Sequence, residues 1–503
     1  MAMNSTFIPA ELQHLLPLDN EMSFLLGVLS LLGTGNEDFV YPEFFEVLSQ
    51  QNPNDMKPCR DGKKLEGTYP GLVQRQVLQP WTNAETLIAY YPRFDRSGFL
   101  HCLSLEQKTK AFAAAARLFR KFFPEQHGET SMYLQWLTCK KYAGHVLALA
   151  AHWGNFDSDN ETLRVPVDFV YILRHCAGYF REINLRANAI SMVDIGLIIM
   201  STQDFSSSQE SKSDLELLNA DLLSIQASVA IQLGDHATAA VANSLCLELR
   251  KAKDAGRYYK TYLLDQTSIN LASFGAATGE YEDALDLCNL VIAQARQHGA
   301  GSPEARDVEM HAATMAGKIH ILLNEFDKAD DMLVFASLIF NPTSDSPVFK
   351  RAVEQARGTL RYAQGDFVQA RDHFTNSMLP LQYGKVMHSG LPDQERTISI
   401  YYKLAVIDVQ EGKARGAAMK IRLALKMCMG PPYFNVWYGL FHLLWARVLR
   451  KFHEFAACSA RTEKDFPEDH DREAEKVKTD LESMGCQSAT EEQFFQFIPW
   501  DLR

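Results

Sequence analysis

A short pattern that recurs five times restricts what this 503-residue chain can fold into. It reads: small turn residue, polar residue, aromatic or small residue, two polar residues, Ala. It appears as Gly234-Asp-His-Ala-Thr-Ala239, Gly279-Glu-Tyr-Glu-Asp-Ala284 and Asn324-Glu-Phe-Asp-Lys-Ala329. It returns as Gly365-Asp-Phe-Val-Gln-Ala370 and Gly412-Lys-Ala-Arg-Gly-Ala417. Weaker copies place Ala189 before the series and Ala456 or Ala457 after it. Each copy lies between two amphipathic stretches of helical period. Self-similarity at a fixed spacing marks a stacked repeat architecture, in which each unit covers its apolar face with the next.

The pattern has a direct physical reading. Gly, or Asn in one copy, can take the left-handed conformation that ends a first helix. The aromatic (Tyr281, Phe326 or Phe367) packs between helices, and the Ala lets two helices approach closely. Seven residues after each Ala, on the same helix face, come Gly196, Cys246, Val291, Ala336, Ser377 and Ala424, most of them small. Twelve residues before it the first helix carries Ala227, Ala272, Gly317, Gly358 and Ala405. Proline is phased with this scheme. None lies between Pro166 and Pro303, as uninterrupted helices require, and Pro342, Pro380 and Pro431-Pro432 fall where second helices should stop.

This spacing resembles the tetratricopeptide repeat. The signature alanines are 50, 45, 45, 41 and 47 residues apart (239−189, 284−239, 329−284, 370−329, 417−370). The period therefore resembles the long-helix subtype of kinesin light chains and of the sensor regions of NLR-like (STAND) proteins. The resemblance implies about seven repeats over residues 166–465, five good and two degenerate. The expected fold class is mainly α: a right-handed α-solenoid of helical hairpins with a small winged-helix-like N-terminal domain.

That N-terminal domain is expected over residues 1–125. Glu21–Leu32 and Tyr41–Gln51 read as helices, residues 52–70 as a polar loop, and Val73–Gln79 and Gly98–Leu105 as short strands. Residues 106–122 read as an Ala-rich helix ending at Phe123-Pro124. Thr86-Leu87-Ile88, the run Phe99–Leu103 and this Phe-Pro end resemble the winged-helix-type segment of fungal NLR-like proteins. Residues 126–165, with Trp136–Cys139 and Gly144–Val146, resemble the linker helices of that family. The family's nucleotide-binding domain has no counterpart: no GxxxxGK[ST] occurs to cradle phosphates. An ATP-driven switch is therefore not expected of this chain, which leaves room for a nucleotide-binding protein acting in trans. Residues 466–503 are expected to cap the array, with a charged helix from about Asp469 to Ser483 and an aromatic tail from Glu492 to Arg503. The Ser/Gln-rich segment Ser201–Ser213 reads as a surface loop, with phosphoregulation as the sharper alternative.

Composition narrows the function classes. Apolar residues make up 47% and charged residues 22%, a globular balance. The net charge of -12 argues against a broad nucleic-acid-binding face, which needs clustered Lys and Arg. Lys57, Arg60, Lys63 and Lys64 form one small basic cluster. No Lys or Arg precedes Lys57, so neither a secretory nor a mitochondrial leader is expected. The most apolar early run, Phe24–Gly33, is half of the roughly 20 residues a membrane span needs. Nine scattered cysteines without a CxxC suit reduced thiols, and the expected location is the cytoplasm or the nucleus.

No HExxH, GxSxG or Gly-rich dinucleotide loop occurs, and no catalytic residue, metal site or cofactor is expected. Cys139, His145 and His152 share a helical region, with the two histidines seven apart on one face, but no third or fourth convergent ligand is evident locally, and helix packing is the preferred reading. Asp327, Asp330 and Asp331 read as a solvated helix start. The repeat surface remains. By the tetratricopeptide resemblance the first helix of each repeat lines the concave face, which implies a binding groove of Asp221, Ser224, Ser228, Gln232, Gln266, Ser273, His311, Lys318, Gln355, Thr359, Tyr362, Ser399 and Tyr402. The expected function is a non-enzymatic interaction scaffold or sensor holding a protein or peptide in that groove. One alternative is a helical-repeat enzyme or small-molecule binder with an apolar cavity between the N-terminal domain and the array. A second is a transcription-associated regulator.

Overall fold

The computed structural model describes residues 20–33, 39–50, 77–83, 86–126, 131–158, 163–183, 185–205, 210–251, 258–299, 303–340, 347–378, 382–383, 386–387, 394–428, 435–451 and 467–483. Nineteen helices and two small antiparallel hairpins account for nearly all of them. The chain divides into two compact units. One holds residues 1–127, 134–180 and 187–222, and the other holds 128–133, 181–186 and 223–503.

The first unit begins with α1 (Asn20–Leu31) and α2 (Pro42–Gln50), then the hairpin of β1 (Leu78–Asn83) and β2 (Thr86–Pro92). Val40 adds one bridge to Tyr90, with both N···O distances at 2.8 Å. The expected strand at 98–105 is instead helical. Asp95 accepts from the backbone N–H of Gly98 and starts α3 (Arg96–Cys102), burying Phe99 and Leu100 together. A strand would have sent those neighbours to opposite faces. Strand β2 lies outside both expected strands. The strand expected at 73–79 meets β1 only at its last residues, since 73–76 lie outside the described residues.

Ser104 and Gln107 form a reciprocal capping box at α4 (Leu105–Phe122), satisfying two of the donors that a helix start leaves orphaned. Its face of Ala111, Phe112, Ala115 and Phe119 is fully buried. Phe44 meets Phe119 edge-on at 5.6 Å. Next come α5 (Trp136–Ser158), α6 (Val167–Glu182) and α7 (Arg186–Thr202). The segment read as a loop at 201–213 is shorter than expected: α7 runs to Thr202 and α8 (Lys212–Leu233) begins at Lys212, while residues 206–209 lie outside the described residues.

The second unit is an α-solenoid of tetratricopeptide type. The division between units falls within α8, which pairs with α9 (His236–Lys251). Four more hairpins follow: α10 (Tyr258–Thr278) with α11 (Tyr281–Gly299), α12 (Pro303–Leu322) with α13 (Phe326–Ile339), α14 (Pro347–Ala363) with α15 (Phe367–Met378), and α16 (Gln394–Gln410) with α17 (Ala414–Cys428). A two-residue hairpin, β3 (Gln382–Tyr383) with β4 (Val386–Met387), precedes α16, and α18 (Asn435–Lys451) and α19 (Pro467–Ser483) close the described chain.

The recurring sequence pattern is a recurring turn. Gly234, Gly279, Gly365 and Gly412 have φ of 75°, 91°, 79° and 78°, and Asn324 has 60°. Among the described residues these five are the ones with positive φ. At every turn the next N–H reaches back five residues: Asp235 to Ala230, Glu280 to Gly275, Glu325 to His320, Asp366 to Arg361 and Lys413 to Asp408, at 2.7–2.9 Å. This Schellman closure satisfies the carbonyls that the first helix leaves open. The same residue starts the second helix, its carbonyl accepting from the N–H of the signature Ala in all five copies.

Small residues at three registers let the helices touch. Ala239, Ala284, Ala329, Ala370 and Ala417 are fully or almost fully buried, as are Cys246, Val291, Ala336, Ser377 and Ala424 seven residues on. Twelve residues before the signature Ala, a Cβ added to Gly317 would lie 2.7 Å from Leu333, and one added to Gly358 would lie 2.6 Å from Phe374. Ion pairs staple successive helices: Arg296 to Glu309 at 2.6 Å, Arg361 to Asp330 at 2.8 Å and Arg371 to Asp408 at 2.8 Å. Asp330 thus belongs to a staple as well as to a helix start.

Helices α13, α15 and α17 stop at Ile339, Met378 and Cys428, just before the phased prolines, which themselves lie outside the described residues. The degenerate copy at Ala456 or Ala457, the loop at 52–70 with its basic cluster and the tail at 492–503 also lie outside them. The charged helix expected at 469–483 is α19. No described helix is long and apolar enough to cross a membrane.

Candidate functional site

Hairpin stacking places the first helices side by side, and a cavity of about 190 Å³ opens on their shared face in the second unit. Five first helices contribute to its wall. Helix α8 supplies Ser228, Ile231 and Gln232, and α10 supplies Ile269, Asn270 and Ser273. Helix α12 supplies His311, Thr314, Met315 and Lys318, α14 supplies Phe349 and Ala352, and α16 supplies Arg396. The spacings 228/231/232, 269/270/273 and 311/314/315/318 are those of one helical face.

The lining is held by its neighbours. Asn270 donates through Nδ2 to Ser224 Oγ at 2.9 Å, which ties α10 to α8. Gln232 accepts from Arg186 Nε at 3.0 Å. Arg396 donates to Gln355 Oε1 at 2.8 Å, linking α16 to α14. Thr314 Oγ1 donates back to the carbonyl of Met310 at 2.7 Å. His311 sits with its ring 6.3 Å from that of Phe349.

Five of the thirteen residues expected in the groove line this cavity: Ser228, Gln232, Ser273, His311 and Lys318. The others are placed differently. Asp221 belongs to the first unit and pairs with Arg174 at 2.8 Å. Ser224, Gln266, Gln355, Ser399 and Tyr402 are buried between helices. Thr359 accepts from Lys403 Nζ at 2.9 Å, and Tyr362 packs against Phe367 at 5.8 Å between ring centres. The resemblance selected polar residues, so it passed over the apolar floor of Ile231, Ile269, Met315 and Phe349. Asn270, three positions before Ser273 on the same face, was open to a helical-period count.

Two other features carry less. Helix α17 has a shallow hollow lined by Arg415, Ala418, Met419, Arg422, Leu423 and Lys426, all on one helix. In the first unit His145 Nδ1 lies 2.5 Å from the carbonyl oxygen of Leu32, and His152 Nε2 lies 3.4 Å from that of Gly33. These rings bond the carbonyls at the end of α1, as histidines near helix C-termini do. Burial pushes the His152 pKa down. Among the described residues no group of three or more His, Cys, Asp or Glu could hold a metal ion.

No protein-family model matches the chain, and no curated protein sequence matches it. Solved structures do. A signal transduction ATPase with numerous domains, from Pyrococcus horikoshii and with a tetratricopeptide repeat sensor, is 12% identical with a TM-score of 0.39, covering 95% of this chain and 66% of its own. The apo form of RapI is 13% identical with a TM-score of 0.39, covering 62% of this chain and 99% of its own. Yeast Tom70 is 11% identical with a TM-score of 0.30, covering 90% of this chain and 94% of its own.

Proposed function

We propose that the chain is a non-enzymatic interaction scaffold whose solenoid receives an extended segment of a partner protein on the face formed by its first helices. The observation that supports this reading is the convergence of side chains from five successive first helices on one cavity. Solenoids build extended surfaces of this kind from small repeated rotations. The cavity offers amide, hydroxyl and cationic groups beside an apolar floor, so it can bond a peptide backbone and bury one side chain at the same time. Its volume, about 190 Å³, is below the roughly 300–1,000 Å³ of an ordinary small-molecule site. Size therefore favours a side chain of a longer ligand over a whole cofactor.

The finer likeness, to the sensor half of an NLR-like receptor working with a nucleotide-binding protein in trans, belongs to the same proposal, as does a cytoplasmic or nuclear location. A pull-down from native-host lysate tests the function. Wild type is run beside a folded variant carrying Gln232→Ala, Ser273→Ala and Lys318→Ala. The reading expects a partner that wild type retains and the variant loses. Identical partners on both proteins contradict it.

A further inference from the structure

We propose that helix α17 carries a docking face of its own, for an acidic partner segment whose carboxylates flank large apolar side chains. This inference goes beyond the scaffold reading above, because the face lies on a second helix and the cavity is built from first helices.

The face is one stripe. Arg415, Met419, Leu423 and Lys426 are exposed and follow one another at four, four and three residues, the spacing of a single helical face. The opposite face, with Ala417, Ile421, Ala424 and Cys428, is buried. Met419 is 58% exposed and Leu423 42%, so two large apolar side chains stand in solvent between two cations.

Comparison with the other repeats shows what is particular to α17. An exposed apolar pair two and six residues after the signature Ala is also present on α9, as Val241 and Leu245. The cations are not repeated. They stand two residues before the Ala and nine after it, where the other four copies carry Ala, Val, Leu, Asp or Glu. Helix α17 contains no Asp or Glu. Lys420 pairs with Asp408, and the Arg422 guanidinium lies 4.9 Å from the centre of the Trp445 ring. Among the described residues neither Arg415 nor Lys426 has a hydrogen-bond or ion-pair partner.

These two cations are eleven residues apart (426−415), about 16 Å along a helix that rises about 1.5 Å per residue. A partner with carboxylates at that separation and apolar side chains between them neutralises both ends and covers Met419 and Leu423 in one contact. A membrane surface is the rival occupant. Recognition of anionic lipid calls for clusters of about 4–8 Lys or Arg. The stripe offers two, on a chain of net charge -12 that a negative surface repels. A discrete acidic segment matches that number.

The test is a selection of random peptides displayed on phage against the immobilised full chain. A parallel selection uses a variant carrying Met419→Ser and Leu423→Ser. Both positions are exposed, and thermal melting checks that each variant is folded. Peptides enriched on wild type and not on this variant are stripe-dependent. The expected result is an excess of Asp or Glu beside Leu, Ile, Met or Phe among them, relative to the unselected library. A peptide so obtained should bind a variant carrying Arg415→Glu and Lys426→Glu about tenfold or more weakly. Its counterpart with Lys in place of the acids should prefer that charge-reversed variant. Stripe-dependent peptides without an acidic excess overturn the inference, and so does the absence of any stripe-dependent peptide. Sedimentation with phosphatidylserine vesicles tests the rival. Co-sedimentation of wild type that the charge-reversed variant loses, with no acidic peptide selected, assigns the face to lipid and overturns the inference. Each of these failures leaves the first-helix cavity intact and the scaffold reading standing.

Discussion

Gly416 leaves room for Asp408: a Cβ at position 416 would lie 2.7 Å from Asp408 Oδ2. Asp408 is 1% exposed, ends α16 near its turn and pairs with Arg371 at 2.8 Å and with Lys420. The carboxylate therefore joins α15, α16 and α17, and the absent side chain at 416 is what lets α17 close over it. Gly416→Ala gains helix propensity of about 0.5–1 kcal/mol but overpacks a site where displacement costs about 1–3 kcal/mol. The expected net effect is a lower melting temperature, by about 1 kcal/mol of stability. In an Asp408→Ala background the same substitution should cost less, a coupling that a double-mutant cycle measures.

The five turns differ in one residue. Gly279 has φ of 91°, beyond what an L side chain readily adopts, whereas Asn324 at 60° sits in the region Asn tolerates. Gly279→Ala should destabilise by about 1–2 kcal/mol in a denaturant titration. Asn324→Gly should stay within about 0.5 kcal/mol of wild type, because Gly meets the same backbone demand.

Asp265 on α10 is 4% exposed, and burial pushes its pKa up to about 7. The folded carboxyl thus holds its proton over a range in which the unfolded chain, with a pKa near 3.8, has released it. Stability contributed at this position falls as pH rises from about 4 to about 7 and is lowest above that range. Asp265→Asn keeps the shape and removes the charge. It should raise the melting temperature at pH 8, by about 1 kcal/mol of stability after allowance for solvent screening, and leave it nearly unchanged at pH 4. A pH series of melts on both proteins checks the sign.

Asp221 and Ser228, seven residues apart on one helix, should respond differently to truncation. Asp221 neutralises Arg174, whose side chain is 3% exposed and also donates to the carbonyl of Gln126 at 2.5 Å. Asp221→Ala removes a close countercharge from a buried guanidinium and should cost about 3 kcal/mol. Ser228→Ala, at the cavity wall, should leave the melting temperature within about 0.5 kcal/mol of wild type. Calorimetry of the two variants separates a structural residue from a contact residue.

How far the sequence reveals this molecule depends on which physical demand a residue answers. Positive φ admits few residue types, so Gly234, Gly279, Asn324, Gly365 and Gly412 announced the turns, and the alanines five positions on announced the helix crossings. The N-terminal elements were less legible. Phe99, His101 and Leu103 alternate as a strand would, and only the cap by Asp95 decides for a helix. The cavity was legible in part. His311 and Lys318 are polar and seven apart on α12. Ile269 and Met315 answer the same demand as core residues and cannot be told from them by type, while Ser399 and Tyr402 are polar residues that the fold buries. On α10 the cavity is lined by Ile269, Asn270 and Ser273 and not by Gln266.

Site-specific photocrosslinking tests the central claim most directly. Benzoylphenylalanine replaces Phe349 at the cavity wall in one protein and Val368, 70% exposed on second helix α15, in another. Both are expressed in the native host and irradiated. The account predicts a covalent adduct to a partner protein from position 349, with the crosslinked peptide identified by mass spectrometry, and none to that partner from position 368. Adducts from 368 alone, or the same partner from both positions, would contradict a ligand-binding cavity on the first helices.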